Sequence, residues 1–331
     1  MRRLPAILAA SLVALLLAAG PQAASPASGA AFPEKGKIIT VIMPWPAGGP
    51  NDLGARVLAP LVEKDLGVPV QIVNKPGAGS QVGITQLAQA KPDGYTLGVT
   101  ALPTTIQLYV NPERKAIFDA KSFVPVATHT LDPLAIAVRA DSPFKTLREL
   151  VEFAKANPGK LRAGTGGLLT ITHFSIIQLE KATGAKFSVV HFEGGPQQMT
   201  ALLGGHVDVN FDFPPQFMSN LKSGEMRALG VMDKVEHPYV PGVKTLTAQG
   251  YPISSATARV WSAPARTPRE IVEILGRSIK KAMDTEEHKK RIGELWMVPR
   301  FMDSDQTTTY WAETEAQIRP IMEEELAKQK K

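Results

Sequence analysis

Residues 69–83 read PVQIVNKPGAGSQVG. An apolar run suited to a strand ends in a loop of glycine and alanine, and an amphipathic stretch opens behind it. A dinucleotide-binding fingerprint sits at such a junction. Here Gly77, Gly79 and Gly83 are spaced G-x-G-x-x-x-G, one residue longer than the pyrophosphate-binding pattern. No Gly-Lys-Ser/Thr follows, so it is not a P-loop either. What remains is a loop of small residues at a helix start, whose backbone N–H groups can come close to a ligand.

Outward from that loop the pattern alternates. Residues 38–43 form a strand-like run, and Asn51 or Asp52 is placed to cap a helix reaching 66. Leu53, Val57, Leu61 and Val62 share one face of that helix, and Gly67 lies just beyond it. Strand 69–73, helix 80–90, an Asp93-Gly94 turn and strand 95–100 complete a βαβαβ unit, which demands a parallel sheet with right-handed crossovers. The alternation restarts near Pro133 with a strand over 134–138. Thr146 and Glu149 form a capping box for a helix over 147–156. A strand over 161–163 leads through GTGG to a helix over 172–182 that stops at Gly184. Strand FSVV, helix PQQMTALL, strand VDVNF and strand RALGV follow, then irregular proline-rich sequence over 233–253. A second T-x-x-E box, Thr267 to Glu270 with Pro268 at the first helical position, opens a helix to 283. Two more helical stretches end the chain, the last interrupted by Pro320.

The two α/β halves share a device. Glycine-rich loops join a strand's carboxyl end to a helix start: PAGGPND and PGAGS in the first half, GTGGLLT and FEGGPQ in the second. Ligands of open parallel sheets bind at that edge, and two such edges facing each other make a cleft for a small molecule. Ala47, Gly48, Gly49, Gly77, Ala78 and Gly79 bring no side-chain polarity, so recognition there must use backbone N–H donors, which suit an anion such as a carboxylate. The helix starts at Asn51/Asp52 and Ser80 add favourable dipole ends, and Lys75 adds attraction on approach.

The first thirty residues read as processing signal. Arg2 and Arg3 precede an apolar run from Ala6 to Ala19, and small residues, PQAASPASGA, follow. The run is too short to span a bilayer, which takes about 20 residues. An exported chain without this leader divides into 32–133 plus 254–331 as one domain and 134–253 as the other. There is no cysteine, which excludes thiol nucleophiles, thiolate zinc and iron–sulfur clusters and leaves the apolar core to stabilise the fold. The formal charge is +6, two of it on Arg2 and Arg3, with acids and bases interspersed and aromatics at 6%. Nucleic-acid binding has no support in that pattern.

A catalytic constellation is not assembled. There is no G-x-S-x-G and no H-E-x-x-H. His129, His173, His191, His206, His237 and His288 are scattered singly and read as structural or surface residues, with His173 fixing the loop that precedes its helix. Asp208 reads as a turn or strand-edge residue, whereas Asp212 ends its strand within reach of the cleft.

Taken together, 39–99 resemble the N-terminal signature of the tripartite tricarboxylate transporter substrate-binding proteins, the Bug (Bordetella uptake gene) or TctC-like family. The P-F-x-A-G-G-x-x-D loop appears as Pro44-Trp45-Pro46-Ala47-Gly48-Gly49-Pro50-Asn51-Asp52. The N-x-P-G-A-G-G loop appears as Asn74-Lys75-Pro76-Gly77-Ala78-Gly79-Ser80, and P-D-G-Y-T as 92–96. The likeness continues through LLGGHVDVNFD, MRALGV and WSAPARTP, and so covers nearly the whole mature chain.

The resemblance implies a type II periplasmic binding protein: two α/β domains joined by crossing strands, closing over an interdomain ligand. It implies a periplasmic, monomeric receptor, without catalysis, cofactor or metal, that captures a small carboxylate for inner-membrane permease subunits. A ligand carboxylate would rest on amides of Ala47, Gly48, Gly49, Gly77, Ala78 and Gly79, flanked by Asn51, Asp52 and Ser80. Thr165, Gly166 and Thr170, with Gly167 and His173 at matching places, would donate to its other end. Leu169 stands where the family has glycine, Phe192 replaces a tyrosine, and Trp45 replaces a phenylalanine and enlarges an apolar wall. A dicarboxylate, or a longer or aromatic acid, fits that description. Arg259, two residues before Trp261, could pair with a distal carboxylate, although an exposed arginine is the commoner reading. A sensor for a two-component system would look the same in sequence. An exported enzyme using His173 and Asp212 is the rival from another class.

Overall fold

In the computed structural model, which describes residues 32–329 apart from 193, β1 (Ile39–Met43) lies between β2 (Val70–Asn74) and β3 (Thr96–Leu102), parallel to both. The crossovers are α1 (Pro50–Leu66) and α2 (Gln81–Ala88). The expected leader, 1–30, lies outside the described residues.

Both faces of this sheet are covered, which is why 39–43 is apolar apart from the half-buried Thr40. Val41 and Met43 join one core cluster with Leu58, Trp261 and Ile279, while Ile42 joins the other with Leu87, Val260 and Trp311. The sheet is not purely parallel. Short α3 (Thr104–Val110) is followed by the long β4 (Phe123–Pro133), and β10 (Ala256–Pro264) inserts antiparallel between β3 and β4. β11 (Pro299–Met302) closes the edge, giving the order β11-β4-β10-β3-β1-β2.

The chain leaves this sheet after Pro133 and enters a second one. It holds β5 (Ala135–Arg139), β6 (Leu161–Thr165), β7 (Phe187–His191), β8 (Val209–Asp212) and β9 (Met226–Val231) in the order β7-β6-β8-β5-β9. β7, β6 and β8 are parallel, and β5 runs against both its neighbours. Its helices are α4 (Leu147–Ala156), α5 (Ile171–Thr183), α6 (Gly195–Leu203) and α7 (Pro214–Lys222). Hydrogen bonds Leu134 N–H to Ser255, Ser255 N–H to Met232 and Met232 N–H to Leu134 tie the crossing together. Two α/β sheets linked by crossing strands are the architecture the sequence suggested.

The return strand leads into α8 (Arg269–Met283), α9 (Glu286–Glu294) and α10 (Ser304–Gln329). α10 serves both halves: Trp311, Ile318 and Met322 share a buried cluster with Leu102 of the first sheet and with Phe174 and Ile177 of α5.

Several local expectations need correction. α1 starts at Pro50 with Gly49 as its N-cap, so neither Asn51 nor Asp52 caps it. The Thr146/Glu149 box is formed. The second box is not: α8 has Pro268 at its N-cap position, and the Thr267 hydroxyl donates back to the Pro264 carbonyl. A helix, α7, separates VDVNF from RALGV, because Pro214 and Pro215 occupy the first helical turn, where proline is tolerated. Pro320 does not interrupt α10. It is exposed, while Ile318, Ile321 and Met322 beside it are buried, so packing on the inner face carries the helix past the missing N–H.

Candidate functional site

The two first-half loops sit at the carboxyl ends of adjacent parallel strands and are joined by one buried carboxylate. Asp52, 1% exposed, accepts from the Gly48 N–H (2.9 Å), Arg56 Nε (2.9 Å) and Asn74 Nδ2 (2.8 Å). Asn74 Nδ2 also reaches the Trp45 carbonyl, and Arg56 Nη2 returns to Asn74 Oδ1. Burial pushes the Asp52 carboxyl up, but Arg56, Gly48 and Asn74 outweigh it and hold it below the usual carboxylate range. Asp52 is therefore a clamp between loops, and the Gly48 N–H is occupied by it rather than free for a ligand.

What stays free is the set of amides around that clamp. Among the described residues no acceptor takes the N–H of Gly49, Asn51 or Asp52 at the start of α1. The same holds for the N–H of Ala78, Gly79 and Ser80, three consecutive residues with φ of 47°, 64° and 80°. Left-handed Ala and Ser cost about 1–2 kcal/mol each; Ala78 and Gly79 are exposed, whereas Ser80 is buried. The Ser80 hydroxyl is buried without a partner. Gly83 lets α2 approach the first loop, since a Cβ there would lie 2.9 Å from Pro44. Trp45 is half-buried against the first-sheet core.

The second-half loop is arranged differently. The Thr165 and Thr170 hydroxyls both donate to the Gly167 carbonyl, and Gly166 N–H donates to Thr172 Oγ1 (3.0 Å). Gly167 N–H returns to Thr165 Oγ1. The donors expected from Thr165, Gly166 and Thr170 are thus engaged inside their own loop. Leu169, with φ 58°, gives its N–H to His173 Nδ1 (3.2 Å), so His173 fixes this loop. Phe192 packs against the buried cluster that includes Ala135, Leu202 and Phe217.

Arg259 is not an exposed arginine. At 9% exposure it lies between the crossing strands, with Nη1 on Asp132 and on Thr130 Oγ1 (3.0 Å) and Nε on Asn51 Oδ1 (2.6 Å). Burial lowers its guanidinium to about 10, still charged at neutral pH. Asp208 is held by Arg162 through both side chain and backbone.

Asp212 ends β8, 4% exposed, with Oδ1 on the Phe213 N–H and Oδ2 without a partner; burial raises its carboxyl to about 6. Gln198 of α6, which the sequence reading passed over, is fully buried. Its NH2 donates to the carbonyls of Gly164 and Phe211, leaving Oε1 unpaired. A glutamine inside PQQMTALL carries no local signal of such a role.

The scattered histidines meet in space. His129 and His288 share a 2.7 Å Nε2–Nε2 contact in the interior, and His173 lies edge-on to His191. Burial pulls His173 and His237 down to about 4, and His129 well below its usual value, with His288 and Arg259 adding to the effect. Histidines neutral in the fold bind fewer protons than in the unfolded chain, so their stabilisation is complete above pH 6.5 and is lost as pH falls towards 4. Asp212, raised to about 6, works in the opposite sense. His173 and His237 less the Asp212 offset give a loss of about 2–3 kcal/mol between roughly pH 6.5 and 5. Urea unfolding across that range checks it; flat or rising stability on acidification contradicts it.

Among the described residues no group of three or more His, Asp or Glu could hold a metal ion. A hollow of about 780 Å³ lies away from the glycine loops, between α8 and the start of α10. Its rim charges pair mostly with one another, as Arg269 does with Glu273 and Lys280 with Asp284.

The family model described as "Tripartite tricarboxylate transporter family receptor" matches residues 54–326. The chain belongs to that family. A Cupriavidus necator protein encoded in the gbd 5′ region is 34% identical to this receptor over 321 residues, 96% of this chain and 94% of the other. A TctC solute-binding protein from Polaromonas superposes with a TM-score of 0.82 at 27% identity, over 88% of this chain and 99% of that one. MatC from Rhodopseudomonas palustris, with bound malate, gives 0.65 at 26% identity, over 87% and 100%. The two-domain fold of these binding proteins is the fold of this receptor.

Proposed function

We propose that this receptor captures a small carboxylate in the periplasm and hands it to the inner-membrane permease of a tripartite tricarboxylate-type transporter, with no bond chemistry. The observation that carries the reading is the set of unpaired amides of 49, 51, 52 and 78–80 at two adjacent strand ends. Charge-assisted hydrogen bonds of about 1.5–3 kcal/mol each offset the hydration a carboxylate loses there. The malate bound to MatC and the leader-like first thirty residues support ligand class and location. The halves 32–133 plus 254–331 and 134–253 would close on the ligand as a population shift, favoured by contacts to both.

Thermal unfolding of the mature protein against mono-, di- and tricarboxylates tests this. A ligand at 100 times its Kd stabilises by about 2.7 kcal/mol, which raises Tm by several degrees. A panel in which no acid moves Tm overturns the reading.

A further inference from the structure

The second glycine loop has a charged neighbour. β3 runs parallel to β1 and β2, so the chain leaving it turns at the same edge of the sheet as the two glycine loops. After α3 it forms a 3-10 turn, Pro112–Arg114, whose backbone is held at three points. Asn111 Oδ1 accepts the Glu113 N–H (3.0 Å), and the Arg114 N–H donates to the Asn111 carbonyl (3.1 Å). Gln81 Nε2, in the first turn of α2, donates to the Arg114 carbonyl (2.9 Å). The Arg114 side chain, by contrast, is exposed and makes no hydrogen bond, ion pair or ring contact among the described residues.

Its guanidinium rests against Gly79. A carbon built on Gly79 would lie 3.8 Å from Arg114 Nη2 and 3.9 Å from Nη1, and nothing else beyond its chain neighbours comes within 4 Å. The two-nitrogen edge of the group, the one that grips a carboxylate bidentately, therefore faces the loop. Ala78 and Gly79 are exposed, and no acceptor among the described residues takes their N–H groups. Bond geometry at the Gly79 Cα puts its nitrogen within about 6 Å of Nη2. A carboxylate that accepts a bond of about 2.9 Å at each oxygen spans that distance. A hollow of about 550 Å³, lined by Ala78, Gln81, Val82, Thr85, Glu113 and Arg114, gives a solute access from outside. Glu113 is the one acid on that lining, and no ion pair joins it to Arg114.

We propose that Arg114 is a further ligand contact of the carboxylate site, closing on the acid group that the amides of Ala78 and Gly79 receive. This rests on the carboxylate reading of the first half and adds a full charge to a site otherwise made of backbone dipoles. The guanidinium fork is planar and always charged, so it matches an ionised carboxylate in a way a lysine does not. In the free protein it has no protein partner to give up, so engaging the ligand breaks nothing in the fold. The pairing is close to solvent and therefore sensitive to salt.

The test is calorimetric titration of the mature protein with acetate, malate, adipate, benzoate and citrate, at low and at high NaCl, for wild type, Arg114→Gln and Arg114→Lys. For the acids that bind wild type, Arg114→Gln should weaken binding about tenfold, and Arg114→Lys should recover part of the loss. High salt should weaken wild type more than Arg114→Gln, because the variant has lost the screened charge. Tm of the unliganded protein should be the same in all three. Wild-type affinity in Arg114→Gln overturns this inference and leaves the amide site standing. A loss in Arg114→Gln that keeps the wild-type salt dependence overturns it in the same way. Silence of wild type towards all five acids overturns it together with the carboxylate reading.

Discussion

Asp132→Ala is expected to lower the unfolding free energy by about 3–5 kcal/mol, the range for breaking one side of a buried ion pair. Asp132 Oδ1 accepts the Val298 N–H at 2.8 Å and Oδ2 takes the Arg259 guanidinium. Both side chains are almost wholly enclosed by β4, β10 and the segment before β11. Removing the carboxylate strands a charged guanidinium in the interior and orphans a backbone donor. Arg259→Met with Asp132→Leu should cost less than either single change, because no unpaired charge remains. Urea unfolding of the wild type, Asp132→Leu, Arg259→Met and the double variant measures the cycle, with Asp132→Ala as a fifth protein; a loss under about 1 kcal/mol for Asp132→Ala would mean water already reaches the pair. The location gives the pair a second consequence. Arg259 also holds Asn51 in the first turn of α1, so the stability of the crossing strands and the placement of the free amides share a residue.

Legibility in the sequence follows the range of the interactions. The parallel βαβ units were readable because 39–43 and 70–74 are local apolar runs followed by glycine loops, and the Thr146 cap because its partner is three residues away. The glycine loops were readable as binding elements, but which amides stay free was not. The Gly48 N–H looks like its neighbours in sequence and is taken by a carboxylate whose role needs Asn74, 22 positions on. Arg259 looked exposed because its counter-ion is 127 residues distant, and the His129–His288 contact spans 159. β4 and α3 carry polar residues that become satisfied only in the fold, such as Thr128 on Thr307 and Thr105 under the Ala101 N–H. Thr165 and Thr170 were expected to donate to a ligand because hydroxyls in a glycine loop look available; the loop bends back and uses them on Gly167.

The Asp52 clamp allows a sharper test of the first-half site than removal of a glycine. All three of its partners, Gly48 N–H, Arg56 Nε and Asn74 Nδ2, are donors. A residue that only accepts is required, so Asp52→Asn, nearly identical in shape, must turn an NH2 towards at least one of them. It should therefore behave almost as badly as Asp52→Ala. Each is expected to cost about 1.5–3 kcal/mol of stability, the worth of hydrogen bonds to a buried charge. Affinity for whichever carboxylate the thermal screen selects should fall by at least about tenfold, because the first and second loops lose their common anchor and the amides of Gly49, Asn51 and Ala78–Ser80 no longer converge. Arg56 is a useful contrast: it is exposed and touches the same carboxylate, yet Arg56→Ala leaves the Gly48 and Asn74 bonds intact and should cost under about 1 kcal/mol. Calorimetric titration and thermal unfolding of the three variants separate these cases. Binding of wild-type strength in Asp52→Asn would show that the two loops hold their positions without the clamp, and that loop geometry rather than this carboxylate sets the site.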